Sequence, residues 1–185
     1  MFLATGMCRT SYTQVMKPDA HTITAMFEDT SLGAPERAVG FVMWRIVHRY
    51  QREVDQALRP LDLTHLQFVM LTLVAWQARS GKPATQAELA RFGDIHPMQV
   101  SNVLKALEQK GAIQRTPAPA NALAKHVEIT AAGLSSLVQA LPIVIEVQAR
   151  LFGDEGKPEG VLLAALLQID SEGTAKSDLH SPNIS

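Results

Sequence analysis

One stretch limits what this chain can fold into more than any other: TQAELARFGDIHPMQVSNVLKALEQKG, residues 85 to 111. Thr85 followed three residues later by Glu88 is a capping box, the reciprocal pairing of a hydroxyl and a carboxylate with the free N–H groups of a helix start. It opens a short helix that halts at Gly93. After Asp94 and Ile95, His96 stands at an N-cap position and Pro97 at the first helical position, where its missing N–H does no harm. The second helix closes on Gly111 as its C-terminal cap. Two helices of this length joined by a tight turn predict a helix-turn-helix.

The flanking sequence supplies the rest of a fold. Residues 1–34, rich in Ser and Thr and lacking a sustained apolar period, read as a poorly ordered arm. Val42, Ile46, Val47, Tyr50, Val54 and Leu58 recur at helical steps, predicting one long amphipathic helix from Pro35 to Leu58, ended by Pro60. Thr64 with Gln67 is a further capping box and starts a helix to about Gln77, before Ser80, Gly81 and Pro83 break the chain. Beyond Gly111, AIQRT and AKHVEIT flank a Pro- and Ala-rich loop from Pro117 to Leu123 and predict a β-hairpin. Thr130 then caps a helix to about Phe152, with Leu134, Leu137, Val138, Leu141, Ile145 and Leu151 as its apolar face and a kink expected at Pro142. A last helix is expected from Pro158 to about Ile169, followed by a polar tail over residues 171–185.

Aromatic content is only 5%, and Ala, Leu, Gln, Glu and Met dominate the periodic runs, so the fold class is mainly α. Formal net charge is −1, which gives the whole chain no strong attraction for polyanions. Its distribution is uneven. Between Lys82 and His126 stand Lys82, Arg91, Lys105, Lys110, Arg115 and Lys125 against Glu88, Asp94 and Glu108, so the middle is positive and the ends are negative. Cys8, the one cysteine, excludes an intramolecular disulfide, lies in no evident electropositive setting and reads as a bystander; cytoplasm is the expected compartment. The opening residues are too weakly apolar for a signal-peptide core, and no stretch is expected to reach the ~18 apolar residues of a membrane span. His48, His65, His96 and His126 fall on separate elements without ligand spacing, and there is no Gly-rich phosphate loop or G-x-S-x-G. Neither metal, cofactor nor catalysis is expected.

The order helix, helix, helix-turn-helix, hairpin, long helix, helix, with LTHLQFVMLTLV, TQAELARF, VSNVLKALEQKGAIQRT and KHVEITAAG in sequence, resembles the MarR family of transcriptional regulators over residues 36 to 169. The resemblance implies a winged helix-turn-helix with a two-stranded β wing over residues 61–130, and a helical dimerisation lobe from residues 35–60 and 131–170 of two copies. It also implies a homodimer that reads a pseudo-palindromic operator in double-stranded DNA.

On the helix from Pro97, Val100, Val103, Leu104 and Leu107 must face the core, which turns Met98, Gln99, Ser101, Asn102 and Lys105 outward. Gln and Asn can pair bidentately with adenine, Ser can meet base or phosphate, and Lys can reach guanine or the backbone. Thr85, Gln86 and His96 lie at helix N-termini, which attract phosphate, and Arg115 and Lys125 flank the wing. Members of the family resembled here carry Asp and Arg at the wing tip, where this chain has Asn121, Ala122 and Leu123. That departure removes the minor-groove anchor and predicts weaker, less salt-sensitive binding. The resemblance further implies a pocket for a small aromatic effector, for which Trp44, His48, Phe68 and Trp76 are the candidate lining. The alternative function is an adaptor or anti-repressor that binds a protein partner in place of DNA, which would favour an apolar outward face at residues 98 to 105.

Overall fold

The computed structural model describes residues 17, 19–28, 34–118 and 121–179, with the backbone alone at 118, 121–124 and 172–179. Cys8 and the end of the tail lie outside the described residues, as do the side chains at the wing tip. The chain divides into two units between Ile46 and Val47. In the first, α1 (Ala20–Glu28) lies within the segment expected to be an unstructured arm. The overlooked signal was a cap: Asp19 accepts from the Thr22 backbone N–H at 2.9 Å, and Ile23, Met26 and Phe27 follow at helical spacing, all exposed.

A 3-10 turn at Pro35–Arg37 precedes α2 (Val39–Leu58), the long helix expected from the apolar period. The second unit then continues with α3 (His65–Ala78), a short strand β1 (Ala84–Thr85), α4 (Gln86–Phe92), α5 (Pro97–Gln109), β2 (Ile113–Ala118), β3 (Asn121–Ile129), α6 (Ala131–Phe152) and α7 (Val161–Leu179). Both capping boxes form, with Thr64 accepting from the Gln67 N–H and Thr85 from the Glu88 N–H, each at 3.2 Å. At α4 the left-handed C-terminal position falls on Asp94 rather than Gly93, with Ile95 N–H closing onto the Ala90 carbonyl at 3.0 Å. Gly93 is small for a different reason: a Cβ there would sit 2.9 Å from Ile95 Cδ1 and 3.0 Å from Leu73 Cδ1.

The hairpin is part of a three-stranded antiparallel sheet of order β1-β3-β2, so the expected two-stranded wing gains a strand. Ala84 pairs with Val127 and Thr85 with His126. Two residues are too few to show any alternation, and Ala84, with Val127, is buried under the sheet. Pro117 is tolerated because β2 is an edge strand, and the register shifts just after it.

The core of the second unit gathers Val54 and Leu58 of α2, Phe68, Leu71 and Val74 of α3, Leu89 of α4, Val100, Leu104 and Leu107 of α5, Val127, and Leu137, Val144 and Val147 of α6. On α6 the buried stripe is therefore Gly133, Leu137, Ala140, Val144 and Val147, whereas Leu134, Val138, Leu141 and Ile145 of the expected face are exposed. The helix is apolar on two sides. By length and composition the segment 131–156 meets the criterion for a membrane span, with mean hydropathy 1.4, contrary to the expectation that no stretch would. Its buried stripe belongs to the winged core. Helix α7 begins at Val161 and runs on to Leu179 through residues expected to be a tail, and its Val161, Leu162, Leu166, Leu167 and Ile169 are exposed.

One close approach ties these elements together. The Ala112 N–H closes onto the Leu107 carbonyl at 2.9 Å, ending α5, while the Ala112 carbonyl accepts from Thr130 N–H at 3.1 Å, starting α6. Gly133 lies against that same carbonyl, and a Cβ built on it would stand 1.9 Å from the oxygen. Gly133→Ala is thus expected to destabilise the fold by about 3 kcal/mol, because backbone rather than a side chain must yield. Urea denaturation checks this, and an unchanged midpoint would contradict it.

Candidate nucleic-acid interface

Helix α5 presents two chemically distinct sides. Val100, Leu104 and Leu107 are fully buried, so the helix cannot rotate about its axis, and Met98, Gln99, Asn102 and Lys105 are held in solvent with Ser101 half-buried beside them. The expected reading face is the exposed one. At its start His96 accepts from the Met98 N–H through Nδ1 at 3.3 Å, which makes it the cap of α5. Gln86 spans the turn of the motif, its Nε2 donating to the Pro97 carbonyl at 3.4 Å. The far end is pinned by Lys110, whose ammonium meets the Asp62 carboxylate at 3.1 Å and Gln67 Oε1 at 3.2 Å. Since Gln67 Oε1 also accepts the Thr64 N–H, the start of α3 and the end of α5 share one polar node.

Between α4, α5 and the wing lies an open cleft of about 780 Å³. It brings together Thr85, Gln86, Ser101, Arg115 and Lys125 of the expected contacts. Met98, Gln99, Asn102 and Lys105 project from α5 outside this lining.

Two of the expected phosphate contacts are already engaged within the chain. Thr85 donates both its N–H and its hydroxyl to Glu88 Oε2, each at 2.8 Å, and these bonds hold the Glu88 carboxyl below the usual carboxylate range. A carboxylate thus sits where the α4 N-terminus would have met phosphate. Arg115, with 12% of its side chain exposed, donates through Nε at 2.9 Å and a terminal nitrogen at 2.5 Å to Glu108 Oε2. That hydrogen bonding is the main cause of the lowered Glu108 pKa. Arg91, in the last turn of α4, lines the cleft and is exposed. Sequence reasoning passed over it, although its place three residues after Glu88 on the outward side of α4 was legible.

The candidate effector residues are placed differently from one another. Phe68 is buried in the core, His48 is half-buried, and Trp76 is half exposed beneath the Arg79 guanidinium, 3.1 Å from the ring centre. Trp44 belongs to the first unit, where it stacks on Phe41. Among the described residues no group of three His, Cys, Asp or Glu is placed to hold a metal ion.

Because Glu88 is held ionised by Thr85, the α4 cap is complete above the ordinary carboxylate range and is lost as pH falls through the lowered value. The protection factors of the Thr85 and Glu88 amides, each taken against the intrinsic exchange rate at the same pH, are expected to fall on acidification and in Glu88→Ala. Unchanged protection across that range would contradict the assignment.

Residues 63–124 match the model of the MarR family. The HTH-type transcriptional regulator YdcH of Bacillus subtilis (strain 168) is 35% identical over 72% of this chain and 90% of its own length. A transcriptional regulator of the MarR family from Rhodococcus sp. RHA1 has a similar structure, with a TM-score of 0.62 and 26% identity over 72% of this chain and 90% of the other. The Mycobacterium tuberculosis regulator MosR, solved in complex with DNA, shares the fold at a TM-score of 0.61 and 22% identity, covering 78% of this chain and 99% of the other. By the 35% identity that runs over 72% of its length, this chain belongs to the MarR family of transcriptional regulators.

Proposed function

We propose that the chain works as a homodimer that binds double-stranded DNA, each copy laying the outward side of α5 against base edges of a pseudo-palindromic operator. The observation that carries this reading is the fixed polar side of α5, where Gln99, Asn102 and Lys105 are exposed on a helix locked by three fully buried residues. The same polarity speaks against an adaptor docking on that side. Dimerisation follows from apolar surface: Leu134, Val138, Leu141 and Ile145 line the outer side of α6, and Val161, Leu162, Leu166 and Ile169 line α7. Apolar patches this continuous mark a contact with another chain. A second copy suits them because the operator reading needs two reading helices. The work is regulatory rather than catalytic, and its compartment is the cytoplasm.

An electrophoretic shift at low salt with DNA from upstream of the chain's own coding sequence tests the reading; no shift would overturn it. Asn102→Ala is expected to cost about 1–3 kcal/mol on the preferred operator while flattening base preference at one position. The wing segment PAPANALAKH has one charged residue, Lys125. The slope of log K against log salt is therefore expected to be well short of the roughly −9 that ten phosphate contacts would give. Ile145→Asp is expected to leave a folded monomer by sedimentation that no longer shifts DNA.

Release by a small aromatic effector belongs to the same proposal, resting on the exposed ring of Trp76 in the second unit. Saturable quenching of tryptophan fluorescence by substituted benzoates is the expected result. A flat response to all of them would remove this part.

A further inference from the structure

Arg115 and Glu108 face one another where the wing leaves the reading helix. Arg115 stands in β2 opposite Val127 of β3, and Glu108 lies in the last turn of α5. Both Arg115 donors converge on a single carboxylate oxygen, and little of the guanidinium side chain is exposed. To reach a phosphate, Arg115 would either leave Glu108 unpaired beside the polyanion or bring that negative charge with it. A paired arginine also adds no net positive charge at the cleft, so it displaces no counterion. Arg91 and Lys125 stand otherwise. Both are exposed, both line the cleft, and among the described residues neither lies within an ion pair. Glu88, the nearest acid along α4, has one oxygen taken up by Thr85 and feels the Arg91 charge without forming an ion pair with it, as Glu108 feels that of Lys125.

We propose that Arg115 is a positioning residue that fastens the wing to the reading helix through Glu108, and that Arg91, together with Lys125, makes the phosphate contacts at the cleft. The inference rests on the DNA-binding reading and assigns roles within it. The pair fixes the angle between β2 and α5 with two donors of one planar group on a single oxygen, which a lysine cannot reproduce. Loosening it leaves the charges that meet DNA in place and spreads the orientations in which they and α5 can engage at once.

The test uses the full chain and a fluorescein-labelled duplex from upstream of its own coding sequence, with affinity followed over about 50 to 200 mM salt. The double variant Glu108→Gln with Arg115→Gln leaves net charge unchanged. It is expected to bind about tenfold more weakly with the parental slope of log K against log salt. Arg91→Ala and Lys125→Ala are each expected to make the slope shallower by about 0.9. A slope reduced by about 0.9 in the double variant would overturn the positioning role, and so would unchanged affinity. An unchanged slope in Arg91→Ala would overturn the role given to Arg91. Arg115→Lys covers the case in which the double variant does not fold. With its charge kept and its fork lost, it is expected to bind more weakly at the parental slope, whereas a direct phosphate contact would leave both nearly as they were. If the parent chain fails to bind even at the lowest salt, the DNA-binding reading itself is what fails.

Discussion

The contact between Ala112 and the start of α6 is the constraint on which the rest of the second unit depends. One peptide unit ends the reading helix through its N–H and begins α6 through its carbonyl, and Gly133 permits the approach only because it has no side chain. The Thr130 hydroxyl reinforces it by donating to the Gly111 carbonyl at 2.6 Å and accepting from Gly133 N–H at 3.0 Å. With α5 and α6 fixed at this point, β2 and β3 must leave and return within a few ångströms of each other. The wing is then a necessary outcome of chain geometry. Moving that junction would tilt the exposed side of α5 and the outer side of α6 together, so the surface proposed to read DNA and the surface proposed to meet a second copy share one hinge point.

Much of this was legible because helix ends announce themselves in short-range chemistry. Thr64 with Gln67, Thr85 with Glu88, His96 with Pro97, and Thr130 are local signals, and each formed where expected. The inward side of α5 was equally readable, since Val100, Leu104 and Leu107 repeat at a single period. What escaped depended on partners distant in sequence or on periods that fit two answers. Strand β1 is two residues long and exists only because β3 passes beside it. On α6 the stripe through Leu134, Val138, Leu141 and Ile145 was the more apolar, yet of the expected face Leu137 is buried, together with the smaller Gly133, Ala140, Val144 and Val147. A hydrophobic period shows that a side will be covered, not which covering is internal.

The site was legible in its reading helix and less so in its charges. Counting basic residues between Lys82 and His126 overstates what DNA can meet. Lys110 is bound to Asp62 and Arg115 to Glu108, both across contacts that sequence spacing does not reveal. The positive surface left near the cleft is carried by Arg91 of α4 and Lys125 of β3. Under the proposed reading, recognition leans more on the fit of α5 to base edges and less on general attraction to the backbone, a balance that favours discrimination over raw tightness.

The double-sided apolarity of α6 has a consequence for how such a protein lives at low abundance. Under the proposed assembly, a chain fresh from synthesis presents an oily ridge that only its twin can cover, and the twin is scarce when copies are few. Folded lifetime would then rise with the number of copies by mass action. Dilution itself becomes a route to loss, giving the cell a floor below which this regulator removes itself.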